Sequence, residues 1–76
     1  MSGLCVRFGS VVRQLREAHS LSQEQLAERA DLNRSYIGEI ERGNAMPSLA
    51  TVIKLSNALE VTASSLLARY EQSASC

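Results

Sequence analysis

Five polar or small residues between positions 34 and 42 have types and spacing that suit the recognition of base edges. At about 100° per residue they fall within roughly 140° of arc on a helix, so they share one face. An arginine can form two parallel hydrogen bonds with a guanine edge, and a glutamate can accept from a cytosine amine. A glycine on such a face lets the backbone approach a groove. The five residues are Arg34, Ser35, Gly38, Glu39 and Arg42.

The opposite side of the same segment is apolar. Ile37 and Ile40 fall at about 300° and 240° from Arg34, and therefore point away from the polar face. The preceding segment offers them Leu26 and its neighbouring alanines. A short helix that is anchored on one side and polar on the other is a shape that the major groove of DNA admits.

Local signals separate these two helices. Ser22 and Gln25 have the spacing of a capping box, in which each side chain bonds the other residue's backbone N–H. Asn33 is in position to cap the second helix, and Gly43 stands where a left-handed residue would end it. The pattern predicts two short helices joined by a tight turn.

The run from Ser22 to Gly43, SQEQLAERADLNRSYIGEIERG, is followed by PSLATVIKLSNALEV. Together they resemble the helix-turn-helix domain of Cro/CI-type (XRE family) repressors, and most of all the small controller proteins of restriction-modification systems. The resemblance covers Phe8 to about Leu67. It departs from the family pattern at Asp31, where the family usually has glycine in the turn. Aspartate tolerates the left-handed region better than most residues, so we expect the turn to survive with some strain.

The resemblance implies an all-α, compact five-helix lambda-repressor-like fold. It makes residues 1–76 a single domain, with an ordered core at about 4–70 and a polar tail at 71–76. It also implies a transcriptional regulator that binds a palindromic operator in double-stranded DNA as a homodimer. The recognition helix, 34–42, would then lie in the major groove.

Site residues follow from the same resemblance together with the helical wheel. We predict base contacts from Arg34, Ser35, Gly38 and Glu39. The predicted phosphate contacts are Gln23, Asn33, Tyr36, Arg42 and Asn44. The alternative for Gln23 is an ordinary residue at the start of a helix. For Tyr36, packing as a half-buried aromatic is as good an interpretation as a phosphate contact.

One ion pair is predicted inside the fold. In repressors of this kind an arginine near the end of the first helix pairs with the glutamate of the ERG segment, which maps Arg16 onto Glu41 here. The wheel agrees, because Glu41 falls at about 340°, on the flank of the buried face. The alternative is two solvated charges that contribute little to stability.

The remaining helices are predicted from apolar periodicity. A first helix runs from about Leu4 to His19, with Gly9 weakening its first turns. A later stripe that includes Leu49 and Ile53 is expected to be mostly core, and a short last helix carries leftover apolar residues. These residues are the predicted dimer interface: Leu66, Leu67 and Tyr70.

Composition limits the function classes. The net charge is zero, although seven of the eight cationic residues are arginine. A protein that binds DNA without specificity needs a basic surface, so we expect weak binding to random DNA and specificity from a dimer. The neutral charge also favours an alternative function, that of a protein-interaction module such as an antitoxin or an accessory regulator.

Catalysis and metal binding are not expected from this sequence. It has one histidine, no catalytic constellation, and no glycine-rich phosphate loop, and it implies no cofactor. Cys5, His19 and Cys76 lack metal-ligand spacing, and the two thiols do not form a disulfide framework. Without a signal peptide or a membrane span, the default is a reduced cytoplasmic protein. The operator, the sign of regulation and the role of the two cysteines stay open.

Overall fold

The computed structural model describes residues 3–74, and within that range the chain forms five α-helices and no strand. The predicted all-α class and the five-helix architecture are confirmed. The helices are α1 (Gly3–Ala18), α2 (Gln23–Ala30), α3 (Arg34–Glu41), α4 (Leu49–Ala58) and α5 (Ala63–Ala74).

Side-chain caps begin the short helices where the sequence predicts them. Ser22 Oγ accepts from the Gln25 N–H at 3.0 Å, and Gln25 Oε1 accepts from the Ser22 N–H at 2.8 Å, which is the predicted capping box. Asn33 Oδ1 accepts from the Ser35 N–H at 2.7 Å and starts α3. Each cap satisfies a backbone donor that has no partner inside its helix, and such caps stabilise a helix by about 1 kcal/mol.

The turns between helices use left-handed residues. Asp31 ends α2 at φ 56°, ψ 47°, and Gly43 follows α3 at φ 80°. Ser20 and Glu60 also have positive φ, at 57° and 60°. The predicted strain at Asp31 is therefore present, and it is shared with two other non-glycine turn residues.

All five helices contribute to one hydrophobic core. Phe8 and Leu15 of α1, Leu26 of α2 and Ile37 of α3 belong to it, and Leu26 and Ile37 are completely buried. Leu55, Leu59 and Leu66 complete the core from the C-terminal half. The predicted backward orientation of Ile37 and Ile40 is confirmed, because neither has exposed surface.

The structure corrects the predicted role of Gly9. The sequence suggests only that it weakens α1, but it is buried where α1 crosses the end of α3. A Cβ atom at Gly9 would come within 2.8 Å of the Glu41 carbonyl oxygen and would also collide with that of Ile40. Gly9 therefore lets two helix backbones touch, which no larger residue would permit.

The predicted stripe of α4 is mostly core, since Val52, Leu55, Ser56 and Leu59 are buried, but its members Leu49 and Ile53 are 70% and 45% exposed. The predicted polar tail from Glu71 is helical as far as Ala74. That segment contains no glycine or proline, so nothing in it interrupts the helix. Cys76 and the side chain of Cys5 lie outside the described residues.

No helix among residues 3–74 is long and apolar enough to cross a membrane. The same part of the chain contains no group of three histidine, cysteine, aspartate or glutamate residues that could hold a metal ion.

Candidate nucleic-acid interface

The polar face of α3 forms the floor of an open concavity of about 360 Å³. The wheel places five of its residues on one face, and the structure brings all five to the lining together with Gln23 from α2. Two arginines and one glutamate make the lining positive by one charge, although the chain is neutral. The lining residues are Gln23, Arg34, Ser35, Gly38, Glu39 and Arg42.

The buried side of α3 holds this surface in place. Ile37 and Ile40 lie in the core, so α3 cannot rotate about its axis without exposing them to water. Burying such a side chain stabilises a fold by about 1.5–3 kcal/mol. Arg34 and Ser35 occupy the first turn of α3, the part of a recognition helix that reaches base edges.

Glu41 at the end of α3 links three helices. Its two carboxylate oxygens accept from Arg16 of α1, with Nε to Oε2 at 2.7 Å and Nη2 to Oε1 at 3.0 Å. Glu41 Oε1 also accepts from Gln23 Nε2 at 3.1 Å. Arg16 Nη1 donates to the Leu21 carbonyl at 2.8 Å, beside the start of α2. The partners predicted for the ion pair are therefore in contact.

This linkage is almost dry. The Arg16 and Glu41 side chains are 12% and 4% exposed. The pKa of Arg16 is raised, chiefly by its hydrogen bonds to Glu41 and further by the charges of Glu41 and Glu17, against an opposing effect of burial. The bond from Gln23 to Glu41 was not predicted. It fixes the start of α2 relative to the end of α3, and so holds Gln23 at the edge of the concavity.

Three of the predicted phosphate-contact residues, Asn33, Tyr36 and Asn44, lie outside the lining. Asn33 and Asn44 are exposed at the two ends of α3, and the backbone N–H of Asn44 bonds the Glu39 carbonyl at 2.9 Å. Tyr36 is half-buried and packs against the hydrophobic core, which favours the packing interpretation. Arg42, which the wheel places on the polar face and which is predicted to contact phosphate, lies on the concavity with the base-reading candidates.

Comparison with known proteins agrees with this geometry. The helix-turn-helix family model matches residues 12–66. The chain belongs to the helix-turn-helix family. It is 49% identical over 61 residues to the control protein C.BamHI of Bacillus amyloliquefaciens, an alignment that covers 79% of this chain and 75% of that protein. The resemblance to XRE-type controller proteins is therefore confirmed.

Solved structures of controller proteins share this fold of the helix-turn-helix family. The restriction-modification controller protein C.AhdI from Aeromonas hydrophila superimposes with a TM-score of 0.79 at 45% identity, over 82% of this chain and 94% of that one. The controller protein C.Esp1396I superimposes with a TM-score of 0.89 at 25% identity, over 96% of both chains. That structure is a tetramer in complex with its natural 35 base-pair operator.

Proposed function

We propose that this chain is a transcriptional regulator that binds a specific operator in double-stranded DNA and acts by binding, without catalysing a reaction. The observation that carries the proposal is the concavity in which Gln23 joins the polar face of α3. An α-helix with its side chains is about 10–12 Å across, which suits a major groove about 12 Å wide. The relatives reported above bear the names of regulators, and one of them is bound to its operator. We also propose a cytoplasmic location, since a regulator must meet the DNA that it controls.

Within the proposed interface, Arg34 and Ser35 read bases from the first turn of α3, with Gly38 and Glu39 behind them. Gln23, Asn33, Arg42 and Asn44 contact the phosphate backbone or the edge of the groove. Phosphate contacts fix register and base contacts supply specificity. We assign Tyr36 a packing role first, because it is half-buried and packs against the core.

A neutral chain gains little affinity from phosphate attraction alone, so one short helix needs a second copy. We therefore propose a homodimer on a palindromic operator, with the two recognition helices in successive major grooves about 34 Å apart. The relative C.Esp1396I is a tetramer in complex with its natural 35 base-pair operator, which supports the binding of more than one copy to one operator.

The predicted dimer interface needs one correction. Leu66 is completely buried in the core of its own chain and cannot contact a partner. Tyr70 is half-buried and packs edge-on against Phe8, with ring centroids 6.3 Å apart. Leu67 is 41% exposed.

Exposed apolar residues of α4 are further candidates, beside Leu67, for the dimer interface. Leu49 and Ile53 are one helical turn apart, and both border the buried side of α4. We propose that a second copy of this chain covers Leu67, Leu49 and Ile53, because a palindromic operator requires a symmetric partner.

The oligomeric state tests this surface. We expect Leu49→Glu combined with Leu67→Glu to yield a folded monomer, since these side chains are exposed and a buried glutamate at an interface would be unpaired. Analytical ultracentrifugation over a range of concentrations would measure the change, with Arg69→Glu as an exposed control on α5. A wild-type chain that is monomeric at all concentrations would contradict the proposed dimer.

Replacing Arg34 tests the reading face. We expect Arg34→Ala to cost about 1–3 kcal/mol of discrimination at one base position, because it removes a bidentate contact. Arg42→Ala should instead weaken binding to every sequence. It should also reduce the slope of log affinity against log salt concentration by about one. Fluorescence anisotropy on the duplex upstream of the protein's own gene and on a random duplex would measure both effects. Equal losses on the two duplexes for Arg34→Ala would remove it from base reading.

The same titration distinguishes operator binding from the alternative function, that of a protein-interaction module. The exposed apolar residues of α4 also suit a protein partner, as expected of an antitoxin or an accessory regulator. A wild-type chain that shows no preference among duplexes at modest salt would favour that alternative.

A further inference from the structure

The Arg42 guanidinium lies beside Gly38 on the polar face of α3, although the side chain is 60% exposed. A Cβ atom at Gly38 would lie 3.1 Å from Arg42 Nη1 and 3.5 Å from Nη2. The guanidinium therefore lies over the one position of α3 that has no side chain. Gly38 lines the concavity but is itself buried, and the Arg42 guanidinium is the nearest group above it.

Glu39 stands beside this guanidinium. Its Oε2 is 3.6 Å from Arg42 Nη2, and the two side chains are 46% and 60% exposed. Such an exposed pair contributes little to stability. It can therefore be broken at small cost when a stronger anion approaches, and the stability of the fold does not explain its presence.

We propose that Glu39 determines specificity through Arg42, by holding the guanidinium over Gly38 and competing for it with the phosphates of DNA. This inference rests on the proposed function. A random duplex offers Arg42 a phosphate but leaves the Glu39 carboxylate unpaired beside a negative backbone. An operator with a cytosine amine at the matching position gives Glu39 a donor once Arg42 has left it. Only the operator compensates both groups, so Glu39 lowers affinity for random DNA more than affinity for the operator.

Glu39→Gln tests the proposal because glutamine keeps the size and an acceptor oxygen but removes the charge. We expect the variant to bind a random duplex roughly tenfold more tightly. Because its affinity for the operator should change less, the ratio of operator affinity to random-duplex affinity should fall by most of that factor. Glu28→Gln is the matched control. It removes the same charge from an exposed residue of α2 that does not line the concavity, and should change both affinities slightly and equally.

A double-mutant cycle shows whether Glu39 acts through Arg42. In an Arg42→Ala background, we expect Glu39→Gln to change the affinity for random DNA no more than Glu28→Gln does. Gly38→Ala tests the same coupling in a second way. Its methyl group would displace the Arg42 guanidinium by a few tenths of an ångström and should weaken the coupling between Arg42 and Glu39.

Two results would overturn the proposal while leaving the proposed function intact. One is an equal gain for Glu39→Gln and Glu28→Gln, which would make Glu39 a general repulsive charge. The other is an additive cycle, in which the gain from Glu39→Gln persists without Arg42. A wild-type chain that does not prefer its operator would instead contradict the proposed function itself.

Discussion

Gly9→Ala is expected to destabilise the fold by about 2–3 kcal/mol, although alanine favours helix at an ordinary position. The added methyl group would meet the carbonyl oxygens of Ile40 and Glu41, and these belong to the backbone of α3. Neither carbonyl can turn away without disturbing the end of α3, so α1 must move outward. A chain of this size has roughly 4–11 kcal/mol of stability in total. Urea denaturation followed by circular dichroism would measure the loss.

Gly38→Ala is the matched control for that substitution. It also places a methyl group on a buried glycine inside a helix, but the nearest atom is the end of the flexible Arg42 side chain. We expect no loss of stability and a gain of up to about 1 kcal/mol from helix propensity. Equal destabilisation by the two substitutions would show that helix packing at Gly9 is not the cause.

These two glycines show where prediction from the sequence ends. Capping residues such as Ser22 and Asn33 could be predicted, because a cap is recognised within three positions along the chain. The face of α3 could be predicted too, because helical geometry alone orients Arg34 and Ile37. The role of Gly9 depends on residues more than thirty positions away, and periodicity carries no information about which helices touch.

The C-terminal half shows the same limit. Apolar residues of α4 and α5 form stripes wider than the area that the core covers, and the sequence does not say which edge stays open. Leu66, predicted at a partner surface, is buried, whereas Leu49 is exposed although it belongs to a stripe that is mostly core. The wheel places Arg42 on the polar face, but the contact of its guanidinium with Gly38 could not be predicted, because it depends on a side-chain rotamer and on the space above Gly38.

The second large effect is expected at the ion pair between α1 and α3. We expect Arg16→Ala to cost about 3–5 kcal/mol, because it leaves the Glu41 carboxylate, 4% exposed, with the amide of Gln23 as its remaining side-chain donor. Glu41→Ala should cost a similar amount by leaving a guanidinium that is 12% exposed without its anion. The pKa of Arg16 is raised above an already high ordinary value, so Arg16 is charged at neutral pH. Its ionisation therefore adds no pH dependence to the stability of the fold near neutral pH.

The chain contains its own comparison for this pair. Arg13 and Glu17 also form an arginine–glutamate bridge, at 3.3 Å, but their side chains are 63% and 56% exposed. Removing either residue should cost less than about 1 kcal/mol. In a double-mutant cycle of unfolding free energies, Arg16 with Glu41 should couple by about 2–3 kcal/mol, and Arg13 with Glu17 by a few tenths.

Because Glu41 also holds Gln23, its loss should weaken operator binding in protein that is still folded, whereas Glu17→Ala should not. If Glu41→Ala lowered stability but left operator affinity unchanged in the folded fraction, the pair would be a feature of the core alone, and Gln23 would not need it to meet DNA.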